Sequence, residues 1–351
     1  MTVKGSRSER KTENVVSSFY IAFEGSKTEP HYLKRASELK YYDQSKCTFI
    51  PKSYMDLRKT SAPRVFYLLK DYQYWIDNGG LRCPWDVFIT LLVDNVTERY
   101  KKLKKTICKE TIKKHGKHTD KRYKEIETIS KELYELLKSK KMLIDNIHLD
   151  VRQVLPTVKE YMSKRYEGYS FEELIADDFV PPVSFGRNHY VMVVDRDQYT
   201  PGNDDIGMIV KNCEKQDYSF IITNPNFEFW VALHYDDYDH DTMIDLIREM
   251  IDQQSRPVDE RTVTGELGPR KYMRSLDPDY EKNSDFGFVT KEMVDKAIER
   301  AKQYPSDTGI LKNRLTTDDL SSVGTNMGHL LELLKAGKIT EPPSSRELTS
   351  S

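Results

Sequence analysis

Three carboxylates stand at the ends of two predicted strands. Glu24 follows the apolar run at residues 15–23, and Asp195 and Asp197 follow the run at residues 190–194. Ligands of a parallel α/β sheet bind beyond the carboxyl ends of its strands, so we expect the three side chains to meet there. Residues two apart in extended backbone project to the same side, which lets Asp195 and Asp197 converge.

Clustered carboxylates repel one another unless a cation joins them. Mg²⁺ (or Mn²⁺) suits such a cluster, because it takes a few hard oxygen ligands and leaves its other positions to water and phosphate. A metal held by Glu24, Asp195 and Asp197 would support phosphoryl transfer by stabilising the attacking and leaving oxygens. The residue pattern therefore predicts a magnesium site with phosphoryl-transfer chemistry.

The Asp-x-Asp spacing is a weak signal by itself. It occurs four times, at residues 195/197, 237/239, 239/241 and 277/279. Only the first pair follows a strand-like run, and the others are expected in solvated loops. Acidic residues at strand ends also serve as helix caps. On pattern alone, a shared metal site and separate structural roles both remain open.

The elements around these residues alternate between strands and helices. Apolar runs typical of strands buried on both faces occur at residues 15–23, 48–51, 190–194 and 218–222. Between the last two runs, Ile206, Ile209, Val210 and Cys213 recur with helical spacing. Strand, helix and strand at this spacing predict a βαβ unit with parallel strands. We expect an α/β fold with a mainly parallel sheet flanked by helices.

The length of 351 residues suggests two or three structural units, or one domain that carries a large insertion. Residues 1–14 are predicted to be a disordered lead-in and residues 338–351 a disordered tail. Residues 15–80 carry the first half of the sheet domain, and residues 185–337 carry its second half with further C-terminal helices. Residues 81–184 interrupt the alternation and are interpreted as a mainly helical, basic insertion.

Composition and charge exclude several classes of protein. The chain has 55 Lys and Arg against 56 Asp and Glu, which excludes a uniformly basic nucleic-acid binder but not a local basic patch. Its apolar runs are shorter than the roughly 20 residues that cross a bilayer, so no membrane association is expected. Its polar N-terminus predicts no secretory signal. The 4 cysteines form no C-x-x-C pair, and this fits a cytoplasmic protein.

The best candidate for a nucleic-acid surface is the basic stretch at residues 99–124. It holds 12 Lys or Arg against 2 acidic residues, Glu110 and Asp120. Tyr100 and Tyr123 are candidates for stacking on bases. A solvated helix face explains a charge run equally well. The predicted substrate contacts are Lys101, Lys102, Lys104, Lys105, Lys113 and Lys114.

Four further residues flank the predicted carboxylates. Glu228 begins a helix that should point toward the same sheet edge. It is a candidate to bind a second metal or orient a ligand, and the alternative is a charge that complements the helix dipole. Lys27 is a candidate contact to the scissile phosphate. Gly25 would allow a sharp turn and close approach to phosphate, and Asn224 would fix its own loop. Ordinary surface and turn roles are the alternatives for these last three residues.

The histidines are expected to be structural. His115 and His118 lie within the basic stretch without an accompanying cysteine or acidic cluster, so they are interpreted as surface residues rather than metal ligands. His234 follows Trp230 on an apolar helix and is predicted to be a hydrogen-bonded core residue.

Three sequence blocks in fixed order resemble those of the RloB family. They are residues 23–32 with E-G-x-x-T-E-P, residues 193–197 with the Asp-x-Asp pair, and residues 223–230 with N-P-x-F-E-x-W. That family has a Toprim-like catalytic domain and is associated with bacterial restriction and anti-phage loci. The resemblance covers residues 15–80 and 185–240, and residues 323–326 match a C-terminal block only loosely.

The resemblance implies a Toprim-like fold in which Glu24 is the general acid/base and Asp195 and Asp197 bind magnesium. It implies a nuclease of anti-phage defence, with RNA, including transfer RNA, preferred over DNA. The resemblance also implies a partner ATPase encoded nearby. This sequence has no Gly-x-x-x-x-Gly-Lys-Ser/Thr phosphate-binding loop, so nucleotide hydrolysis would need another chain. A homo-oligomer is compatible with the sequence. Because fold analogy does not establish a reaction, a non-catalytic module binding an ATPase, a nucleotide signal or nucleic acid is the alternative.

Overall fold

The computed structural model describes most of the chain. It covers residues 18–25, 27–50, 62–103, 111–114, 117–145, 147–179, 188–196, 206–257, 260, 262, 266–281, 285–305 and 315–337, with the backbone alone at residues 97, 98, 111–114, 117–124 and 178. The predicted tails at residues 1–14 and 338–351 lie outside these ranges.

The described residues form ten strands and eleven α-helices. The strands are β1 (Ser18–Phe23), β2 (Cys47–Ile50), β3 (Cys83–Pro84), β4 (Thr111–Lys114), β5 (Lys117–Asp120), β6 (Leu143–Ile144), β7 (His148–Leu149), β8 (Asn188–Asp195), β9 (Ser219–Asn224) and β10 (Gly324–Thr325). The helices are α1 (Thr28–Glu38), α2 (Ala62–Asp77), α3 (Trp85–Arg99), α4 (Lys121–Ser139), α5 (Val151–Arg165), α6 (Ile206–Gln216), α7 (Phe227–Ala232), α8 (His240–Ser255), α9 (Gly268–Leu276), α10 (Lys291–Ala301) and α11 (Met327–Ala336).

The central sheet has five strands in the order β10-β9-β8-β1-β2. Strand β1 pairs in parallel with β2 and β8, and β8 pairs in parallel with β9. Only β10 runs antiparallel, against β9. The fold is therefore α/β with a mainly parallel sheet flanked by helices, as the sequence predicts.

Both faces of the sheet are buried, which explains the nearly continuous apolar runs of its strands. In β1, Tyr20 and Ala22 enter the core on one face, and Phe19, Ile21 and Phe23 enter the core on the other. Strands β8 and β9 divide their side chains between the same two cores.

The first core joins the sheet to residues 81–184. Side chains of α2 and α6 pack on the sheet, and apolar residues of α3, α4 and α5 continue the same cluster, including Phe88, Leu133 and Val158. The predicted insertion is therefore packed on the sheet layer through a shared core. Strands β3, β7 and β6 form a small sheet in this region.

The basic stretch differs in part from the predicted helical structure. Strands β4 and β5 pair as an antiparallel hairpin, with Ile112 opposite Thr119 and Lys114 opposite Lys117. The β-branched residues Thr111, Ile112 and Thr119 favour strand over helix, and this local preference explains the difference.

The second core lies on the opposite face of the sheet. It combines α1 with α7 to α11, and its fully buried side chains include Tyr32, Trp230, Phe286 and Leu330. Among the described residues, no helix is both long enough and apolar enough to cross a membrane.

Candidate functional site at the carboxyl edge of the sheet

Glu24 and Asp195 meet at the edge of the sheet, although 171 positions separate them in the chain. Strand pairing continues one residue past β1, since the Glu24 N–H donates to the Val193 carbonyl at 3.0 Å. The Glu24 carboxylate then accepts the Asp195 backbone N–H, with 3.2 Å between Oε2 and nitrogen. Glu24 is 9% exposed, so its charge lies at a largely buried strand end.

The chain after Asp195 is held by the neighbouring strand. The Arg196 N–H donates to the Thr223 carbonyl at 2.8 Å, and the Arg196 side chain is 6% exposed. This contact extends the β8–β9 pairing beyond Asp195 and fixes its backbone. Asp197, the third predicted carboxylate, lies outside the described residues.

Glu24 and Asp195 supply the hard oxygen donors that Mg²⁺ prefers, and Mg²⁺ commonly keeps several waters beside one or two carboxylates. These two residues therefore fit the predicted ion by donor type. Within the described ranges, no group of three or more His, Cys, Asp or Glu residues is arranged to hold a metal. The complete set of Glu24, Asp195 and Asp197 stays a prediction.

Glu29 supports the turn that follows Glu24, a role that sequence analysis missed. Its side chain is 3% exposed, and Oε1 accepts the Gly25 N–H at 3.2 Å. A Cβ at position 25 would lie 2.0 Å from Glu29 Oε2. A side chain at position 25 would therefore force the Glu29 carboxylate to move.

Glu228 forms an ion pair with Arg270. The Arg270 Nη2 and Nε lie 2.9 and 3.2 Å from Glu228 Oε1. The Glu228 side chain is 2% exposed and that of Arg270 is 33% exposed. Burial alone would lower the pKa of the Arg270 guanidinium, but the Glu228 carboxylate outweighs this effect and raises it. Arg270 therefore stays positively charged and neutralises a buried carboxylate.

Tyr280 is a further buried residue, and its pKa depends on this ion pair. Its hydroxyl is buried and makes no hydrogen bond to any residue that the structure describes. Burial raises the pKa of Tyr280 most, and the Glu228 carboxylate raises it further. The Arg270 guanidinium lowers it, whereas the smaller effect of the Glu29 carboxylate raises it again. Burial and both carboxylates therefore favour the uncharged phenol.

Asn224 anchors the C-terminal part of the chain. Its buried side chain donates from Nδ2 to the Ser322 carbonyl at 2.7 Å, and the following bond to Pro225 is cis. In the sheet, Asn224 stands opposite Gly324 of β10. Its contacts therefore hold β10 beside β9 in the sheet.

Thr325 and Asn326 complete the edge of the sheet. Thr325 Oγ1 lies 3.0 Å from Thr223 Oγ1 and accepts the Met327 N–H at 3.2 Å. The Asn326 amide accepts the Ile222 N–H at 2.6 Å and donates to the Phe220 carbonyl at 2.9 Å. Both residues have a structural role that the loose sequence match did not show.

The predicted lysine contacts are only partly described. Lys27 is exposed just before α1, and its carbonyl accepts the His31 N–H at 2.8 Å. Lys101 and Lys102 are also exposed. Two of the predicted contacts, Lys104 and Lys105, lie outside the described residues. Only the strand backbone is described at Lys113 and Lys114, and their role stays a prediction.

Tyr100 packs within the protein, unlike a side chain reserved for stacking on bases. Its ring centroid lies 4.9 Å from that of Phe171 and 5.7 Å from that of Tyr169. Its hydroxyl donates to the Ser170 carbonyl. The side chain of Tyr123 is outside the described part.

The other Asp-x-Asp pairs and His234 have local structural partners. Asp239 caps α8 by accepting the Thr242 N–H at 2.8 Å, and Asp277 accepts the Asp279 N–H at 3.1 Å. His234 lies just after α7 ends at Ala232 rather than on the helix itself. It is fully buried and its Nδ1 is 3.0 Å from the Trp230 carbonyl oxygen, so it is a hydrogen-bonded core residue, as predicted. None of these contacts points to a second acidic metal site.

The geometry defines a class of protein: an α/β protein whose acidic residues meet at the carboxyl edge of a parallel sheet, beside a buried Glu–Arg pair. The family model described as RloB-like protein matches residues 19–334. The chain therefore belongs to the RloB-like family. The matched range spans residues 81–184, the stretch interpreted as an insertion. No curated protein and no solved structure matches the chain.

Proposed function

We propose that this protein is a metal-dependent nuclease of the Toprim type, which cleaves nucleic-acid phosphodiesters. The observation that supports it best is the contact between the Glu24 carboxylate and the Asp195 backbone at the carboxyl ends of β1 and β8. Ligands of parallel α/β sheets bind at this edge, and two acidic residues there suit phosphoryl transfer. Membership of the RloB-like family adds to this argument.

Each acidic residue has a distinct role in the proposed reaction. Bound Mg²⁺ or Mn²⁺ would neutralise charge that develops on the phosphate oxygens. Asp195 and Asp197 would hold that ion. Glu24 would accept a proton from the attacking hydroxyl or water, since its carboxylate is fixed beside Asp195 and within reach of the same edge.

RNA, including transfer RNA, is the proposed substrate class, in anti-phage defence in the cytoplasm. The exposed Lys101 and Lys102 are proposed to contact its backbone electrostatically. A separate ATPase is proposed as the regulatory partner. Substrate, partner and location all rest on what the family resemblance implies.

The test is cleavage of labelled RNA and DNA with added Mg²⁺ or Mn²⁺, comparing wild type with Glu24→Gln and Asp195→Asn. Both variants should cut at least about 100-fold more slowly, the usual effect of losing a general base or an electrostatic ligand. Glu214→Gln, at an exposed position of α6, is the control and should cut like wild type. Sequencing of RNA and DNA ends in cells expressing wild type or Asp195→Asn then identifies the substrate.

Unchanged cleavage in both site variants would discard the assignment of Glu24 and Asp195. Absence of any cleavage by the wild type, together with cellular phenotypes that survive Asp195→Asn, would instead favour the non-catalytic module that binds an ATPase, a nucleotide signal or nucleic acid.

A further inference from the structure

Arg270 has a guanidinium that Glu228 engages on only one side. Both Nε and Nη2 donate to the same atom, Glu228 Oε1. Among the described residues, none accepts a hydrogen bond from Nη1, and one third of the side chain is exposed. The buried carboxylate thus holds the guanidinium in place while part of it faces solvent.

The backbone position of Arg270 is also fixed. Helix α9 packs on α7 and α8 and begins at Gly268, which has a φ of +57°. A Cβ at Gly268 would lie 2.6 Å from Met250 Sδ, so the close packing of α9 on α8 requires this glycine. Pro269 follows in the first turn. Arg270 therefore extends from a well-defined helix start.

Arg270 lies at the same edge of the sheet as the two carboxylates. Its partner Glu228 is in the first turn of α7, immediately after β9 ends at Asn224. Strand β9 pairs with β8 up to Asp195, which stands opposite Thr223. The Glu228–Arg270 pair is thus placed on the β9 side of this edge, whereas Glu24 follows β1 on the other side of β8.

We propose that Arg270 is a substrate-binding residue that contacts a phosphate of the nucleic acid, with Glu228 holding its guanidinium in position. This inference rests on the proposed nuclease function and adds a positive charge near the edge that holds Glu24 and Asp195. Arginine suits the role because its planar fork offers separate pairs of donors to two anions. A guanidinium already ordered by Glu228 also loses less conformational freedom when it binds phosphate.

The test separates phosphate binding from a purely structural ion pair. Removing Arg270 alone leaves a buried, uncompensated Glu228. Weaker RNA binding by such a single variant would not distinguish a lost phosphate contact from a folding defect. The double variant Glu228→Gln/Arg270→Gln removes both charges together. Its matched control is Glu249→Gln/Lys271→Gln, which removes the neighbouring ion pair between α8 and α9. Chemical unfolding verifies that each protein is folded.

The measurement is binding of a fluorescein-labelled RNA hairpin, by anisotropy, at salt concentrations from roughly 50 to 300 mM. All proteins carry Asp195→Asn so that the RNA stays intact. The Glu228/Arg270 double variant should bind about tenfold more weakly, and the slope of log K against log salt should become shallower by about 0.7 to 0.9, the loss of one phosphate contact. The control pair should keep the parental affinity and slope.

A folded double variant that binds RNA with the parental affinity and slope would overturn the proposal, even where the wild type cleaves RNA. If Asp195→Asn protein binds no RNA at all, the phosphate contact is refuted together with an RNA substrate. If the double variant shows the expected loss but the wild type never cleaves, Arg270 remains a nucleic-acid contact and the nuclease function alone fails.

Discussion

Glu29 occupies the space that any side chain at position 25 would need. Its Oε2 lies 2.0 Å from the position of a Cβ there, and its Oε1 accepts the Gly25 N–H. Because Glu29 is 3% exposed, its carboxylate has little room to move away. The turn that presents Glu24 therefore depends on one glycine and one buried acid.

We expect Gly25→Ala to reduce the free energy of unfolding by about 1 to 3 kcal/mol, the usual effect of overpacking. Urea denaturation measures this change. The double variant Gly25→Ala/Glu29→Ala removes the clash, so its destabilisation should be smaller than the sum of the two single effects. Strict additivity of the two substitutions would show that the carboxylate does not restrict position 25.

At the scale of elements, the strand that pairs with β9 at the edge of the sheet is very short, and the Asn326 side chain bonds the neighbouring backbone groups of β9 in its place. Strand β10 has only 2 residues, Gly324 and Thr325. Asn326 continues the pairing through its amide, which bonds the Ile222 N–H and the Phe220 carbonyl. Asn326 is 6% exposed, so these backbone groups of β9 are shielded from water.

We expect Asn326→Ala to reduce the free energy of unfolding by about 2 to 4 kcal/mol, because it leaves a buried donor and a buried acceptor of β9 without partners. Hydrogen exchange should show faster exchange in the peptide containing Ile222. Asn78→Ala is the matched control: its half-buried amide makes one bond, to the Tyr74 carbonyl at 2.8 Å. An Asn326→Ala protein no less stable than this control would contradict the expectation.

Sequence analysis predicted the strands and helices whose apolar residues form a regular pattern within one segment of the chain. Strands β1, β8 and β9 were visible as apolar runs, and α6 as a helical stripe, because burial on both faces or on one face dictates those residues. Because Glu24 and Asp195 follow predicted strands, the sequence also predicted that they lie close together. Strand β10 was not predictable, since a 2-residue strand has no periodicity and its place depends on Asn224.

Arg270 was missed for a related reason. Helix α9 has 9 residues and begins with Gly-Pro, and its buried residues are few, so it gives no long apolar stripe. Its importance depends on its packing against α7, where it meets Glu228. Contacts between distant segments of the chain decide such a pair, and no spacing within one segment reports them.

At the scale of the whole molecule, a buried histidine links α1 to the segment that follows α7. The Tyr32 hydroxyl donates to His234 Nε2 at 2.9 Å. Since a carbonyl only accepts, the His234 Nδ1–H donates to the Trp230 carbonyl at 3.0 Å. The Tyr32 ring also meets Phe227 and Phe286 edge to face, within the second core. This neutral imidazole is therefore fully enclosed.

Burial lowers the pKa of His234 from 6.5 to about 4, against the smaller, opposing effect of its bonds to backbone carbonyls. Between these two pH values the unfolded chain binds a proton at His234 and the folded chain does not. The contribution of neutral His234 to the free energy of unfolding is therefore fully present above pH 6.5, and it is lost as the pH decreases toward 4. The pKa difference corresponds to a loss of about 3 kcal/mol over that window.

Denaturant unfolding at several pH values between these limits measures the loss. Carboxylates contribute to the same curve, so the informative quantity is the difference between wild type and His234→Gln. That variant should be less stable near neutral pH, but its stability should fall less on acidification. Tyr32→Phe is the companion variant: it removes the bond to Nε2 while keeping the buried imidazole, so it should lower stability and retain the pH dependence. Parallel curves for wild type and His234→Gln would mean that protonation of His234 does not couple the second core to pH.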